Sequence, residues 1–250
     1  MTPATLAEDV DALAGYLRQA TRIACLTGAG MSTESGIPDY RSPQGLYRTL
    51  TSEEVFDIRR FKADPSQFYR VIGPLYTSIE EALPNAGHLA LAELAGRCGK
   101  NVKIATQNID GLHQKAGLAD VFEVHGTMRT LTCLSCGAQT GSGAQRARLQ
   151  AGELLRHSCG GVLKPDITFY GEMLPEGPLT SARQAMAEAD LVLVLGTSLL
   201  VYPAAALPSL RTRGCPLVII NREATAMDAN ASLAIHGAIG NVLPKAVAKL

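Results

Sequence analysis

Three groups of residues have the types and spacing to do chemistry. Cys133-x-x-Cys136 is followed by Cys159 with His157 beside it, offering three thiolates and an imidazole, a donor set for tetrahedral zinc. A second C-x-x-C pair would need a cysteine at 156, where the chain has Arg156, so a knuckle that has lost its metal is the competing reading. A redox role for Cys133 and Cys136 lacks a thioredoxin-like setting. His125 closes the apolar run Phe122-Glu123-Val124 and precedes a glycine. An imidazole at a strand end is a general base near neutral pH or a satisfied structural residue. Gly28-Ala29-Gly30 follows the apolar Ile23–Leu26, and in such a turn backbone N–H groups at a helix start can approach a pyrophosphate. The dinucleotide fingerprint is incomplete, with Thr33 at its third glycine position, and an ordinary strand-to-helix turn is the plain alternative. Further on, Arg41 can clamp a phosphate through paired N–H groups, and Tyr40 can cover a ring.

Three more polar clusters recur at the ends of apolar runs. Gln107-Asn108-Ile109-Asp110 sets two amides and a carboxylate together, suited to a carboxamide and a ribose, or to a helix capped by Asp110. Gly196-Thr197-Ser198 ends the most apolar run of the chain, and Asn221-Arg222-Glu223 ends the next, where doubly wound folds read a ribose. Each taken singly is also an ordinary turn.

These clusters need elements to hold them. Leu6, Val10, Leu13 and Leu17 recur at helical spacing, predicting a helix over 5–20. Further helices are expected over 52–60, 65–82, 85–97, 179–189, 203–213 and 244–250, and a weak one over 145–150. Strands are expected over 23–27, 102–106, 121–124, 167–170, 191–195 and 217–220. Short apolar strands alternating with helices predict an α/β fold with a doubly wound, mostly parallel, Rossmann-like sheet. Between Thr130 and Pro165, cysteines, glycines and small polar residues replace that alternation and read as an insertion with its own staple. The expected division is one catalytic unit over 1–250, Rossmann-like in 1–129 and 166–250, with a zinc-ribbon-like module over 130–165 and a helical sub-module over 48–84.

Composition narrows the function classes. In 250 residues, 23 basic and 23 acidic side chains balance, so the electrostatic footprint of a nucleic-acid binder is missing. No apolar run approaches the length of a membrane span, the N-terminal stretch lacks a basic segment, and six cysteines without a secretory context point to metal binding or free thiols. The expectation is a cytoplasmic protein that binds neither nucleic acid nor membrane.

In order, the segments GAGMSTESGIPDYRSPQGLY, TQNIDGLH, EVHG, CLSCG, CGGVLKPDITFYGE, GTSLLVYPAA and IINRE resemble the sirtuin family of NAD-dependent protein deacylases, in its short bacterial type, over nearly the whole chain. The resemblance implies NAD and zinc as cofactors and acyl-lysine proteins or peptides as partners, added as a strand between Tyr170-Gly171-Glu172 and Leu200-Val201-Tyr202. It places Gly28, Ala29, Gly30 and Arg41 at the pyrophosphate and nearby ribose, with Glu34 in the same loop. Ile37, Pro38, Asp39 and Tyr40 form the loop over nicotinamide. Gln107, Asn108 and Asp110 order the ribose and nicotinamide pocket, beside Ile109. Gly196, Thr197, Ser198, Asn221, Arg222 and Glu223 lie on the adenosine half, with Ile239 at the adenine. His125 is the catalytic base, helping a ribose hydroxyl take the acyl group once nicotinamide has left. Cys133, Cys136 and Cys159 are metal ligands, and His157 is the candidate fourth. Mono-ADP-ribosyl transfer and a non-catalytic NAD or ADP-ribose sensor are the alternative readings. The chain departs from the family at Thr33, Tyr40, Arg156 and Lys164, the last in place of a frequent arginine. The Tyr-x-x-Arg pair of desuccinylating members is missing, Tyr69 being followed by Ile72, so a neutral acyl group is expected.

Overall fold

The computed structural model describes residues 3–38 and 52–250. In chain order its first elements are α1 (Pro3–Gln19), β1 (Arg22–Thr27), α2 (Ser52–Val55), α3 (Ile58–Ala63), α4 (Pro65–Glu81), α5 (Ala86–Ala95), β2 (Asn101–Thr106), α6 (Leu112–Lys115) and β3 (Val121–Glu123). Then come β4 (Gly126–Cys133), β5 (Gln139–Gly141), α7 (Arg146–Gln150), β6 (Leu163–Ile167), α8 (Glu176–Glu188), β7 (Leu191–Leu195), β8 (Leu217–Asn221), β9 (Leu233–His236) and α9 (Ile239–Val247).

Six strands form one sheet in the order β3-β2-β1-β7-β8-β9, and every neighbouring pair is parallel. Counted along the sheet this is 3-2-1-4-5-6, the order of the doubly wound nucleotide-binding fold, with its switch point between β1 and β7. A sheet covered on both faces needs strands apolar on both sides, which is why Leu191–Leu195 reads as an unbroken run and is buried throughout. Leu193 faces Leu13 and Leu17 of α1, Leu91 and Leu94 of α5 and Val242 and Leu243 of α9. Val192 and Val194 face Ala182 and Met186 of α8 and Leu207 of the 3-10 segment Ala204–Leu210.

The smaller body is a three-stranded antiparallel sheet, β5-β4-β6, sharing one apolar core with α2, α3, α4 and α7. Four of the chain's five phenylalanines meet there. Phe169 lies 5.8 Å from Phe56 and 5.2 Å from Phe61, edge to face, and 5.1 Å from Phe68.

Several expected elements differ. The strand foreseen over 167–170 is absent: the strand is Leu163–Ile167, and it pairs with β4 in the small sheet, not with the parallel one. Pro165 misled the reading, since proline is tolerated on an edge strand, and the apolar run after it belongs to the phenylalanine cluster. The helix foreseen over 203–213 is a 3-10 segment with Pro208 inside it, where a missing N–H breaks the α pattern. The last helix starts at Ile239 because Ile239, Val242, Leu243, Ala246 and Val247 form its buried stripe. Strands β4, β5 and β9 were not foreseen.

Two histidines sit under the ends of β1 and β2. Thr27 Oγ1 donates to Thr106 Oγ1 at 2.8 Å and, that proton being spent, accepts from His113 Nε2 at 2.9 Å. The His113 ring lies 4.8 Å from that of His88, and both rings are buried. Neither nitrogen of His88 has a hydrogen-bond partner among the described residues, nor has His113 Nδ1. Burial holds His88 down at about 4 and His113 at about 3, the latter also pushed by His88. The folded chain therefore refuses protons that the unfolded chain takes up below the ordinary 6.5. Stability is complete above pH 6.5 and falls toward pH 4, by up to about 1.4 kcal/mol per pH unit for each ring. Urea unfolding at stepped pH measures this, and His88→Phe is expected to remove about one proton's worth of the slope.

Candidate active site and metal centre

At the switch point the turn after β1 is pressed against the turn after β7. Gly28 N–H bonds Leu195 O at 3.1 Å and Gly30 N–H bonds Gly196 O at 2.9 Å. A Cβ on Gly196, whose φ is +64°, would stand 2.3 Å from Met31 N and 2.5 Å from Gly30 C. Only glycine fits both the angle and the gap. Two of the turn's amides are thus spent on β7, and no α-helix follows: residues Ala29–Met31 and Thr33–Ser35 are two short 3-10 turns. The helix start expected here is therefore absent. Small and hydroxyl residues between glycines do not propagate a helix. The glycines let the two backbones come close.

Those clusters converge on the turn. Asn108, buried, donates both amide protons, to Gly28 O at 2.9 Å and Ser32 Oγ at 3.1 Å, leaving its side-chain oxygen as an acceptor. Ser32 Oγ passes its own proton to Asp110 Oδ2 at 2.7 Å, and Asp110 Oδ1 accepts the Leu112 N–H at 2.9 Å. Asp110 thus braces the turn through Ser32 and accepts the first N–H of α6, whose N-cap is Gly111; burial pushes its carboxyl above the usual range, against those hydrogen bonds. Gln107 Nε2 reaches Thr197 Oγ1 at 3.0 Å, joining the ends of β2 and β7. Ile109 is buried beside this chain of bonds, and Ser198, half-buried, follows Thr197. Glu34 extends to α9, where its carboxylate accepts the Gly240 N–H at 3.1 Å next to buried Ile239. Ile37 is buried and Pro38 half-buried; Asp39, Tyr40 and Arg41 lie outside the described residues. At the end of β8, Asn221 Nδ2 donates to Glu223 O at 2.8 Å, and Arg222 and Glu223 are exposed.

His125 lies where the chain crosses from β3 to β4. Its Nδ1 is 3.2 Å from Gln107 O, and since a carbonyl only accepts, Nδ1 carries the proton and Nε2 keeps its lone pair. Burial lowers its pKa, with the Gln107 carbonyl pulling the other way. Its own carbonyl accepts the Thr168 N–H at 2.8 Å, and Gly126 beside it, at φ +77°, has Asp166 O only 2.0 Å from where a Cβ would be. The imidazole is thereby fixed between the two sheets.

Cys133, Cys136, His157 and Cys159 gather at the tip of the small sheet with their ligand atoms all within 4.8 Å of one another. Cys136 Sγ and Cys159 Sγ are each 3.3 Å from His157 Nδ1, and Cys159 Sγ is 3.5 Å from Cys136 and 3.6 Å from Cys133. A tetrahedral zinc with Zn–S of about 2.3 Å and Zn–N of about 2.0 Å needs edges of roughly 3.5 to 3.8 Å, so the four fit that ion. The Cys133 thiol is held down at about 7, chiefly by the Cys136 N–H and also by that of Ser135, as suits a thiolate ligand. Arg156 donates to Gly160 O at 2.9 Å, and His157 beside it is the fourth donor of the cluster.

Comparison with known proteins agrees with this arrangement. The model of the Sir2 family matches residues 28–203, which take in the glycine turn, His125 and all four metal-site residues. This chain belongs to the Sir2 family. It is 38% identical over 244 residues to the NAD-dependent protein deacetylase 1 of Pyrobaculum aerophilum, covering 97% of this chain and 95% of that one. It is 44% identical over 237 residues to the NAD-dependent protein deacetylase of Cutibacterium acnes, covering 92% and 94%. A solved Sir2 with a deacetylated p53 peptide and 3′-O-acetyl ADP-ribose superposes with a TM-score of 0.89 at 34% identity, covering 96% of this chain and 98% of that one.

Within this sirtuin fold, the residues missed from sequence are Ser32, Thr27, Thr106 and His113. They are supports, and the signal available for them was weak: hydroxyls directly before or within a polar cluster, and one histidine a turn after Asp110. His157 is expected to be indispensable to the metal and Arg156 not. Purified His157→Ala should lose most of its zinc by elemental analysis, and Arg156→Ala should keep it; chelation of the parent should lower its melting temperature.

Proposed function

We propose that this Sir2-family enzyme removes acyl groups from protein lysines, using NAD and releasing nicotinamide. The observation that carries the reading is the tautomer of His125: Nδ1–H is committed to Gln107 O, so Nε2 is a free base on the edge where the strand-end clusters meet. NAD, when bound, supplies an ADP-ribosyl group to receive the acyl group and a neutral leaving group in nicotinamide.

We assign the chain's residues as follows. His125 Nε2 takes the proton of the ribose hydroxyl that attacks the acyl carbon, since no carboxylate in the cluster has a lone pair as free as that imidazole. Asn108 offers its side-chain oxygen to the ribose, and Asp110 and Ser32 hold Asn108 and the turn in register. Gly28, Ala29, Gly30 and Arg41 take the pyrophosphate, and Ile37, Pro38, Asp39 and Tyr40 the nicotinamide side. Gln107 and Ile109 complete that pocket. Gly196, Thr197, Ser198, Asn221, Arg222, Glu223 and Ile239 take the adenosine half. Cys133, Cys136, His157 and Cys159 would hold zinc, which would then tie the tip of the small sheet together.

The acyl-lysine peptide enters as an added strand between Tyr170-Gly171-Glu172 and Leu200-Val201-Tyr202, in the division between the Rossmann-like part and the module over 130–165. Exposed Met173, Leu200 and Tyr202 border those segments and support an apolar contact with the substrate. No described helix is long and apolar enough to cross a membrane, and free cysteines fit the reducing cytoplasm we assign to the enzyme. A neutral acyl group follows from the helical segment: Tyr69 is buried with its hydroxyl donated to Leu163 O, and Ile72 is buried in the apolar core. Neither can receive a carboxylate.

Nicotinamide release that requires an acetylated peptide tests the proposal. Labelled ADP-ribose appearing on protein without acyl-lysine would replace it by ADP-ribosyl transfer, and NAD binding without turnover by a sensor role. His125→Ala is expected to lower kcat about a thousandfold. Because burial depresses His125, the base stays neutral on the acid side: kcat/KM should be level above pH 6.5 and fall only below it. Acetyl-lysine should exceed succinyl-lysine in kcat/KM by about a hundredfold, since a buried carboxylate would lack a cation.

A further inference from the structure

Lys164 is a buried ammonium in the small sheet, and the reaction does not use it. It is 8% exposed, yet its three N–H donors all have acceptors: Ile167 O at 2.8 Å, Pro165 O at 3.2 Å and Glu172 Oε2 at 2.9 Å. The ammonium also sits 4.3 Å from the centre of the Phe169 ring, where the negative face of the ring attracts it. Glu172 Oε2 accepts a second bond, from Phe169 N–H at 2.8 Å, and Glu172 N–H bonds Phe169 O at 3.0 Å. A single cation thus closes the turn 169–172 on the strand that leads into it. Outside the turn, Tyr170 N–H bonds Phe56 O at 2.7 Å and Tyr170 O accepts from Ile58 N–H at 3.1 Å. These two bonds make an isolated parallel bridge between Tyr170 and Asp57.

A buried charge is expensive unless every donor is met and a counter-ion is close. A turn that needed only to end a strand would be served by apolar packing of Phe169 alone. Placing the ion pair here, with Glu172 on the more exposed side, fixes the backbone of Tyr170, Gly171 and Glu172 in one shape. The compact ammonium meets two carbonyls and a carboxylate from one side, whereas arginine's planar fork would spread its donors in a plane.

We propose that Lys164 is a positioning residue for the protein substrate. Through Glu172 it holds the edge 170–172 in the conformation that receives the acyl-lysine peptide, a role that rests on the deacylase reading above. Losing the clamp lowers the fraction of molecules whose edge is ready, so it weakens peptide binding by that fraction without touching NAD.

Steady-state kinetics on the full chain test this. Lys164→Met is expected to raise KM for an acetyl-peptide about tenfold while KM for NAD and kcat stay within about threefold. Lys164→Arg should restore most of the loss, because a guanidinium reaches Glu172 and at least one carbonyl. Glu172→Gln should raise the peptide KM too, and the double variant should be no worse than Lys164→Met, since the two act through one contact. An unchanged peptide KM, a kcat and NAD KM that move with it, or full additivity overturns the proposal. Amide exchange gives an answer independent of turnover. In Lys164→Met the amides of 169–172 should exchange faster while those of β7 do not, and unaltered exchange at 169–172 also overturns it. A parent enzyme with no acyl-lysine turnover overturns the deacylase reading and not the clamp, which the exchange measurement then decides.

Discussion

The structure depends on one backbone contact, where Gly30 N–H meets Gly196 O at 2.9 Å. Two strands that are neighbours in the sheet but far apart in sequence run their carboxyl-end turns into each other, and neither turn has room for a side chain. The contact keeps β1 and β7 level at the switch point, so the polar residues that follow each strand finish at one edge. Asn108, Ser32 and Asp110 then need only short bonds to tie the end of β2 to the same place. A mispositioned Gly196 would shift the glycine turn, and through Asn108 the whole end of β2. The site is therefore a consequence of strand register before it is a matter of side chains.

The small body answers a different constraint. A three-stranded antiparallel sheet has little core of its own, and this one borrows a core from α2, α3 and α4 through Phe56, Phe61, Phe68 and Phe169. Three thiols and an imidazole gather at the far tip, placed to hold zinc, and the Lys164 ammonium secures the near turn. Apolar packing and ion pair each hold a part that the other does not reach, and the donor cluster lies at a third.

The parallel sheet was legible because its strands are buried on both faces: Leu191–Leu195 and Leu217–Ile220 are continuous apolar runs bounded by glycine or polar residues. The candidate residues were legible where a cluster sits directly after such a run, as at Gln107–Asp110 and Gly196–Ser198. The ligand set at the tip was readable from cysteine spacing, and His157 from its place beside the displaced Arg156. Strand β4 was missed because its apolar residues Met128 and Leu131 are three apart, not two, across the irregularity in its pairing with β6, so no period-two pattern shows. The 167–170 segment was misassigned because Ile167, Phe169 and Tyr170 are apolar for two reasons, the end of a strand and a core of aromatic rings, which periodicity does not separate. The His88 and His113 pair was invisible because its meaning lies in a contact between α5 and α6, and nothing local marks it.

His125 sits in the short crossing between β3, at the edge of the large sheet, and β4, in the middle of the small one, with its carbonyl held by Thr168 on the return path. The imidazole is thus part of the joint itself, not of either body. A change in the angle between the two sheets cannot leave it where it was. Whatever sets that angle also sets where the imidazole points, so the joint between the two bodies and the aim of one side chain are a single geometric quantity.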